Sequence, residues 1–153
     1  MIGIIGEEMR FDGTVISDAV NLASRLESLT KYYGARAIVS EAQWNSLAAP
    51  ERFASRFLDA VRVKGKQEII RIRELLIPGD PNAALKQAGA SKWEAAWNKY
   101  QAGRFNEALK LYEAILADNP ADGAAELFSS RCVRYLTTTV PVAWDGVTTF
   151  GQK

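Results

Sequence analysis

The sequence has no histidine and one cysteine, Cys132. Without an imidazole there is no Ser-His-Asp or Cys-His nucleophile and no His-based zinc site. With no histidine to activate it, Cys132 reads as a small buried residue of a chain in a reducing compartment. No apolar run approaches the roughly 20 residues needed to cross a bilayer. The opening MIGIIGEEMR lacks the basic start and long apolar stretch of a secretion signal, so the expected location is the cytoplasm. No charge excess is present either: 19 Lys+Arg stand against 18 Asp+Glu, net +1, without a basic tract, and nothing points to nucleic acid or an anionic membrane. What remains is globular in composition, 48% hydrophobic and 24% charged over 153 residues. That is enough for one domain, or one small domain with an appendage.

The stretch that organises the chain is Asp12–Glu27, DGTVISDAVNLASRLE, read as a short strand, a turn and an amphipathic helix. Ser17 is the expected N-cap, Asp18 suits the positive end of the helix dipole, and Gly34 is the expected stop after Tyr33. Ala19, Val20, Leu22, Ala23, Leu26, Leu29 and Tyr33 follow the spacing of one buried helical face. Beside it Asp18, Asn21, Arg25 and Ser28 form a polar row, with Asn21 and Arg25 one turn apart on the same side. On spacing alone this row reads first as a solvated face. The alternative is an anion or phosphate site, since an amide and a guanidinium near a helix N-terminus offer planar donors and fixed positive charge.

The run Thr14–Glu27 resembles the signature of the class III nucleotide cyclases, in its bacterial adenylate cyclase version. The resemblance implies that Asn21 orients the ribose and Arg25 stabilises charge on the α-phosphate. It implies further that Thr14, seven residues before Asn21, takes part in purine selection and leans toward ATP.

Upstream, Ile2, Ile4 and Ile5 read as the tail of a strand before a Gly6-Glu7-Glu8 turn, a start that suggests truncation of a longer domain. After the helix, Ala35–Ser40 is expected as a short buried strand. Glu41–Ala48 is expected as a brief helix capped by Ser40, with Trp44 and Leu47 inward and Pro50 ending it. Phe53–Val63 and Glu68–Leu76 form a predicted hairpin, with Phe57, Leu58, Val61 and Val63 on one arm and Ile69, Ile70, Ile72 and Leu75 on the other. Two lysines at the connecting Lys64-Gly65-Lys66-Gln67 are ordinary for an exposed turn. The segment also resembles the VKGK hairpin that closes a cyclase domain, which implies that Lys64, and after it Lys66, reaches the nucleotide phosphates.

Pro78-Gly79-Asp80-Pro81-Asn82 breaks both helix and strand and marks a linker over 78–90. Helices are then expected over Ser91–Ala102, Arg104–Asp118 and Ala121 to about Leu136, broken at Gly103 and at Asn119-Pro120. Trp93, Trp97 and Tyr100 should face Leu109, Tyr112 and Leu116 as core. The run from Tyr100 through Gly103, Phe105, Glu107-Ala108-Leu109 and Tyr112 to Pro120 resembles one tetratricopeptide repeat of about 34 residues. A single repeat buries its faces poorly, so it must pack on the preceding domain, on a partner chain or on its own third helix. Trp144-Asp145-Gly146-Val147 resembles an ending found after such helices in bacterial cyclases.

The expected fold is therefore α+β: residues 1–77 as the back half of a ferredoxin-like cyclase catalytic domain, the linker 78–90, helices over 91–138 and a tail at 139–153. A cyclase joins the ribose 3′-hydroxyl of ATP to its own α-phosphate and expels pyrophosphate. The reaction calls for two metal ions on carboxylates, donors on the transition-state charge and a clamp on the leaving phosphates. The Mg2+ or Mn2+ aspartates belong to the half of the domain that the resemblance does not cover, and Asp12 and Asp18 do not replace them. The implied partners are ATP and either a second copy or a complementary cyclase half. On this reading the chain alone is inactive. The alternative is a catalytically incompetent dimerisation module that docks a protein partner through residues 91–138.

Overall fold

A computed structural model describes residues 22–63 and 67–151. The first helix, α1, is described over 22–33. It ends as its sequence requires: Gly34 adopts φ 64°, the Ala35 amide donates to the Thr30 carbonyl at 2.9 Å, and the Gly34 amide donates to Lys31 at 3.4 Å. This paired closure needs a left-handed residue, which glycine supplies without a Cβ clash. Leu26, Leu29 and Tyr33 are buried and Leu22 half-buried, but Ala23 is exposed, because its small side chain lies at the edge of the apolar stripe. Ser17, Ala19 and Val20 lie outside the described residues.

The strand β1 (Ile38–Ser40) runs directly into the helix α2 (Glu41–Asn45). Ser40 caps α2 with a reciprocal pair: its side chain accepts from the Gln43 amide and the Gln43 side chain accepts from the Ser40 amide, both at 3.1 Å. α2 is shorter than expected, and Leu47 is exposed rather than inward. The Ser46 hydroxyl donates to the Gln43 carbonyl at 2.7 Å and competes with continuation of the helix. Pro50 does not merely end a helix; it opens the 3-10 turn Pro50–Arg52. Trp44 is half-buried under the Arg73 guanidinium, 5.4 Å from the ring centroid.

The expected hairpin forms from β2 (Ala54–Arg62) and β3 (Ile69–Leu76), antiparallel, with Val61 opposite Ile70 and Ala54 opposite Leu76. A register irregularity between Phe57 and Asp59 breaks the simple alternation, and β2 is buried continuously from Arg56 to Val61, so both of its faces are covered. On β3 the buried residues are Ile72, Glu74 and Leu76; Ile69 is 48% exposed and Ile70 and Leu75 are half-buried. The apolar arm expected there is shifted because Ile72 and Leu76 lie on one face together with the charged Glu74.

The predicted linker 78–90 contains a helix, α3 (Pro81–Ala88). Asp80 caps it through the Asn82 amide at 3.0 Å, and Pro81 occupies the first turn, where its missing N–H costs nothing. Three longer helices follow: α4 (Ala90–Gln101), α5 (Phe105–Asp118) and α6 (Gly123–Thr137). Gly103 at φ 74° makes the turn between α4 and α5. The chain closes with β4 (Thr148–Thr149), which pairs parallel with Val61–Arg62 and gives a sheet of order β1-β3-β2-β4. Parallel pairing needs a long crossover, and here β3 and the helices α3–α6 together make it.

The fold is thus mixed α and β. One cluster of buried apolar side chains runs through both parts, from Leu26, Phe57 and Ile72 to Trp93, Tyr112 and Phe128. Trp93 stands edge-on to Tyr112 at 5.3 Å and to Phe128 at 5.4 Å. Trp97 turns the other way and meets Phe57 of the sheet at 4.7 Å. No helix among the described residues is long and apolar enough to cross a membrane.

Candidate functional site

Of the five residues assigned a role by resemblance, Arg25 alone lies within the described part; Thr14, Asn21, Lys64 and Lys66 lie outside the described residues. Arg25 is on the exposed face of α1, one turn from Ser28, whose hydroxyl donates to the Arg25 carbonyl at 2.6 Å. The opposite face, with Leu26, Leu29 and Tyr33, is buried. The guanidinium is therefore carried by a helix that is packed on one side and open on the other.

The end of α1 is fastened by a buried polar cluster that the sequence reading missed. Asp59, on β2, is fully buried. Its carboxylate accepts from the Tyr33 hydroxyl at 2.6 Å, the Thr148 hydroxyl at 2.7 Å, the Ala60 amide at 2.8 Å and the Trp97 indole N–H at 2.9 Å. Arg131 of α6 stands 3.6 Å away and donates to the Tyr32 hydroxyl at 2.6 Å and to the Thr148 hydroxyl at 3.0 Å. Burial pushes the Asp59 carboxyl up from its ordinary range, against the opposing pull of Arg131 and the three side-chain donors. The same burial pushes the Tyr33 hydroxyl up, with the adjacent Asp59 charge adding to it. Asp59 and Arg131 thus hold Tyr32 and Tyr33, the last two residues of α1, from the sheet and from α6.

A second buried cluster joins the sheet to the helices. The Arg56 guanidinium donates to Glu74 at 2.8 Å and in a fork to Asp122 at 2.7 and 2.9 Å, while Lys86 donates to the other Glu74 oxygen at 2.6 Å. Two cations and two anions balance, and Arg56 also lies over the Trp93 ring at 4.5 Å. Burial alone would raise Asp122, but the Arg56 hydrogen bonds and charge outweigh it and hold the carboxyl below its ordinary range. A cleft of about 280 Å³ opens beside this cluster between α3 and α5, lined by Leu85, Lys86, Gly89, Ile115 and Asn119 among others.

No group of three or more His, Cys, Asp or Glu among the described residues converges as metal ligands. The buried carboxylates Asp59, Glu74 and Asp122 are taken up by arginine, lysine and hydrogen-bond donors, so the described residues do not fit a divalent ion. A sequence signal for the two clusters did exist: Arg56 and Asp59 interrupt the apolar run of β2, and charges in such a run are rarely buried unless paired. Their partners, however, lie up to 89 residues away in sequence.

Two curated proteins are similar to this chain. "Adenylate cyclase, terminal-differentiation specific" of Dictyostelium discoideum is 31% identical over 141 residues, which is 90% of this chain and 7% of that protein. An adenylate cyclase of Anabaena cylindrica is 47% identical over 76 residues, 49% of this chain and 15% of that protein. The chain therefore spans a small part of the length of either relative. No protein-family model matches it. No solved structure matches it.

Proposed function

We propose that this chain is the back part of a class III adenylate cyclase, with Asn21 and Arg25 acting on the ribose and α-phosphate of ATP and Lys64, with Lys66, on the leaving phosphates. The observation that carries this reading is the likeness to two adenylate cyclases, one of them along 90% of the chain, in a chain whose signature helix keeps Arg25 exposed on a packed scaffold. A guanidinium there matches the task of neutralising charge that develops on a phosphoryl group. The Mg2+ or Mn2+ ions of such an enzyme would be held by carboxylates of the other cyclase half, in a second copy or a complementary chain. The helices α4–α6 would be a tetratricopeptide-like unit that braces the catalytic half instead of working apart from it. Residues 1–77, 91–138 and 139–153 would then be successive parts of one assembly. In the complete cyclase, Arg25→Ala should lower turnover by about two to three orders of magnitude, as loss of one transition-state donor does. The melting temperature should move little, since the side chain is exposed. Unchanged turnover would overturn the reading.

For an interaction module, the aromatic stripe Trp93, Trp97 and Tyr100 would be the natural docking face, but these residues are 0%, 3% and 2% exposed. They are spent on the chain's own core. A protein partner of residues 91–138 would meet the outer faces of α4–α6 instead.

A further inference from the structure

A pocket of about 210 Å³ lies where α6, the end of α1 and the tail meet, lined by Tyr32, Tyr100, Arg131, Arg134, Tyr135 and Thr148 among others. We propose that this pocket is a binding site for a phosphoryl oxyanion, distinct from Arg25, which lies two turns back along the same exposed row of α1 as Ser28 and Tyr32. Arg131 and Arg134 are three apart on one helix and so project to the same side. No carboxylate lines the pocket: Asp59 sits behind Arg131 and is fully buried, and Asp145, beside the lining residue Trp144, is paired with Arg62 at 3.2 Å. Asp59 offsets one of the two guanidinium charges, and the charge of Arg134 remains.

The hydrogen-bond directions give the same sign. The Tyr32 hydroxyl accepts from Arg131 at 2.6 Å, and the Tyr135 hydroxyl accepts from Arg134 at 3.1 Å. A phenol that accepts from a guanidinium has its own hydrogen left to give elsewhere. Thr148 passes its hydrogen to Asp59 at 2.7 Å, and a guanidinium carries five N–H donors, of which Arg131 has committed two to Tyr32 and Thr148. The pocket is thus rich in donors and poor in acceptors, with surplus positive charge. Paired arginines with hydroxyl donors suit the several oxygens of a phosphate better than a single-point anion. Because Tyr32 belongs to α1, an occupant would also touch the helix that carries Arg25.

Titration of the 153-residue chain with inorganic phosphate and, separately, pyrophosphate, at low salt and followed by calorimetry and Trp fluorescence, tests this. The expected result is saturable binding that weakens as salt is raised. Arg134→Ala should weaken it by at least about tenfold, the loss of one charge-assisted hydrogen bond, while Arg25→Ala leaves it in place. Arg134 is exposed, so its replacement leaves the fold intact. Tighter binding of pyrophosphate than phosphate would identify a polyphosphate end as the natural occupant; equal binding would identify a single phosphate group. Absence of saturation, or binding lost with Arg25→Ala and kept with Arg134→Ala, would overturn the proposal, the latter without touching the cyclase reading.

Discussion

Asp59 shows what a single residue can hold together. Its two oxygens take four hydrogen bonds from α1, α4, β4 and its own strand, with Arg131 of α6 at 3.6 Å. Asp59→Ala would leave Arg131, itself 8% exposed, without its counter-charge. Breaking a buried ion pair from one side costs about 3–5 kcal/mol, and urea unfolding of the variant should show a loss of that order. A loss below about 1 kcal/mol, the scale of an exposed pair, would mean that Asp59 is not the anchor described. Cys132 behaves as its surroundings dictate. It is fully buried, and burial pushes its thiol up to about 12, which keeps it a thiol at neutral pH.

Among the elements, α6 is the most consequential. Asp122 caps it by accepting from the Ala125 amide at 3.2 Å, and the same carboxylate holds Arg56. Its N-terminal Gly123 packs against Gly34 so closely that a Cβ on Gly34 would lie 3.3 Å from the Gly123 Cα. Because the folded pKa of Asp122 lies below its ordinary value, this group contributes stability above about pH 4, the unfolded value, and loses it as pH falls through the folded one. Asp59 has the opposite sign: with its folded pKa raised, its contribution is present below the unfolded value and declines as pH rises through the folded one. The two are separable. The urea midpoint measured from pH 6 to pH 3 should fall on acidification, and the fall should be smaller in Asp122→Asn than in the parent chain. An identical acid slope in both would remove Asp122 as its source.

At the level of the whole molecule, the strands and the helices share one apolar core, and two buried charge clusters cross between them. Parallel pairing of β4 with β2 returns the tail to the sheet after the helices, and Trp144 seals the return with its indole donating to the Gln101 carbonyl at 3.0 Å. Unfolding should therefore be one transition. Far-UV circular dichroism and Trp fluorescence should trace coincident urea curves; two separated curves would mean that the helical segment unfolds by itself.

The sequence by itself determined the local pieces. The Gly34 stop, the Ser40 cap, the β2–β3 hairpin, the three helices broken at Gly103 and Asn119-Pro120 and the aromatic stripe as core were all legible. Each is set by groups within a turn or two of one another: a cap, a left-handed glycine or a repeat of apolar spacing. Arg25 was legible as a candidate only through its motif, and its exposure fits the solvated face that spacing allowed. Asp80 followed by Pro81 is a helix start of the same local kind, hidden in a segment read as a linker. Only the tertiary structure decided that Ile69 faces water while Glu74 does not, and that Asp59, Arg56 and Asp122 are interior. A charge can be buried only where distant elements bring its counter-charge and donors into the same low-dielectric space. No local pattern encodes that meeting; it exists once β2, α1, α4, α6 and β4 have come together.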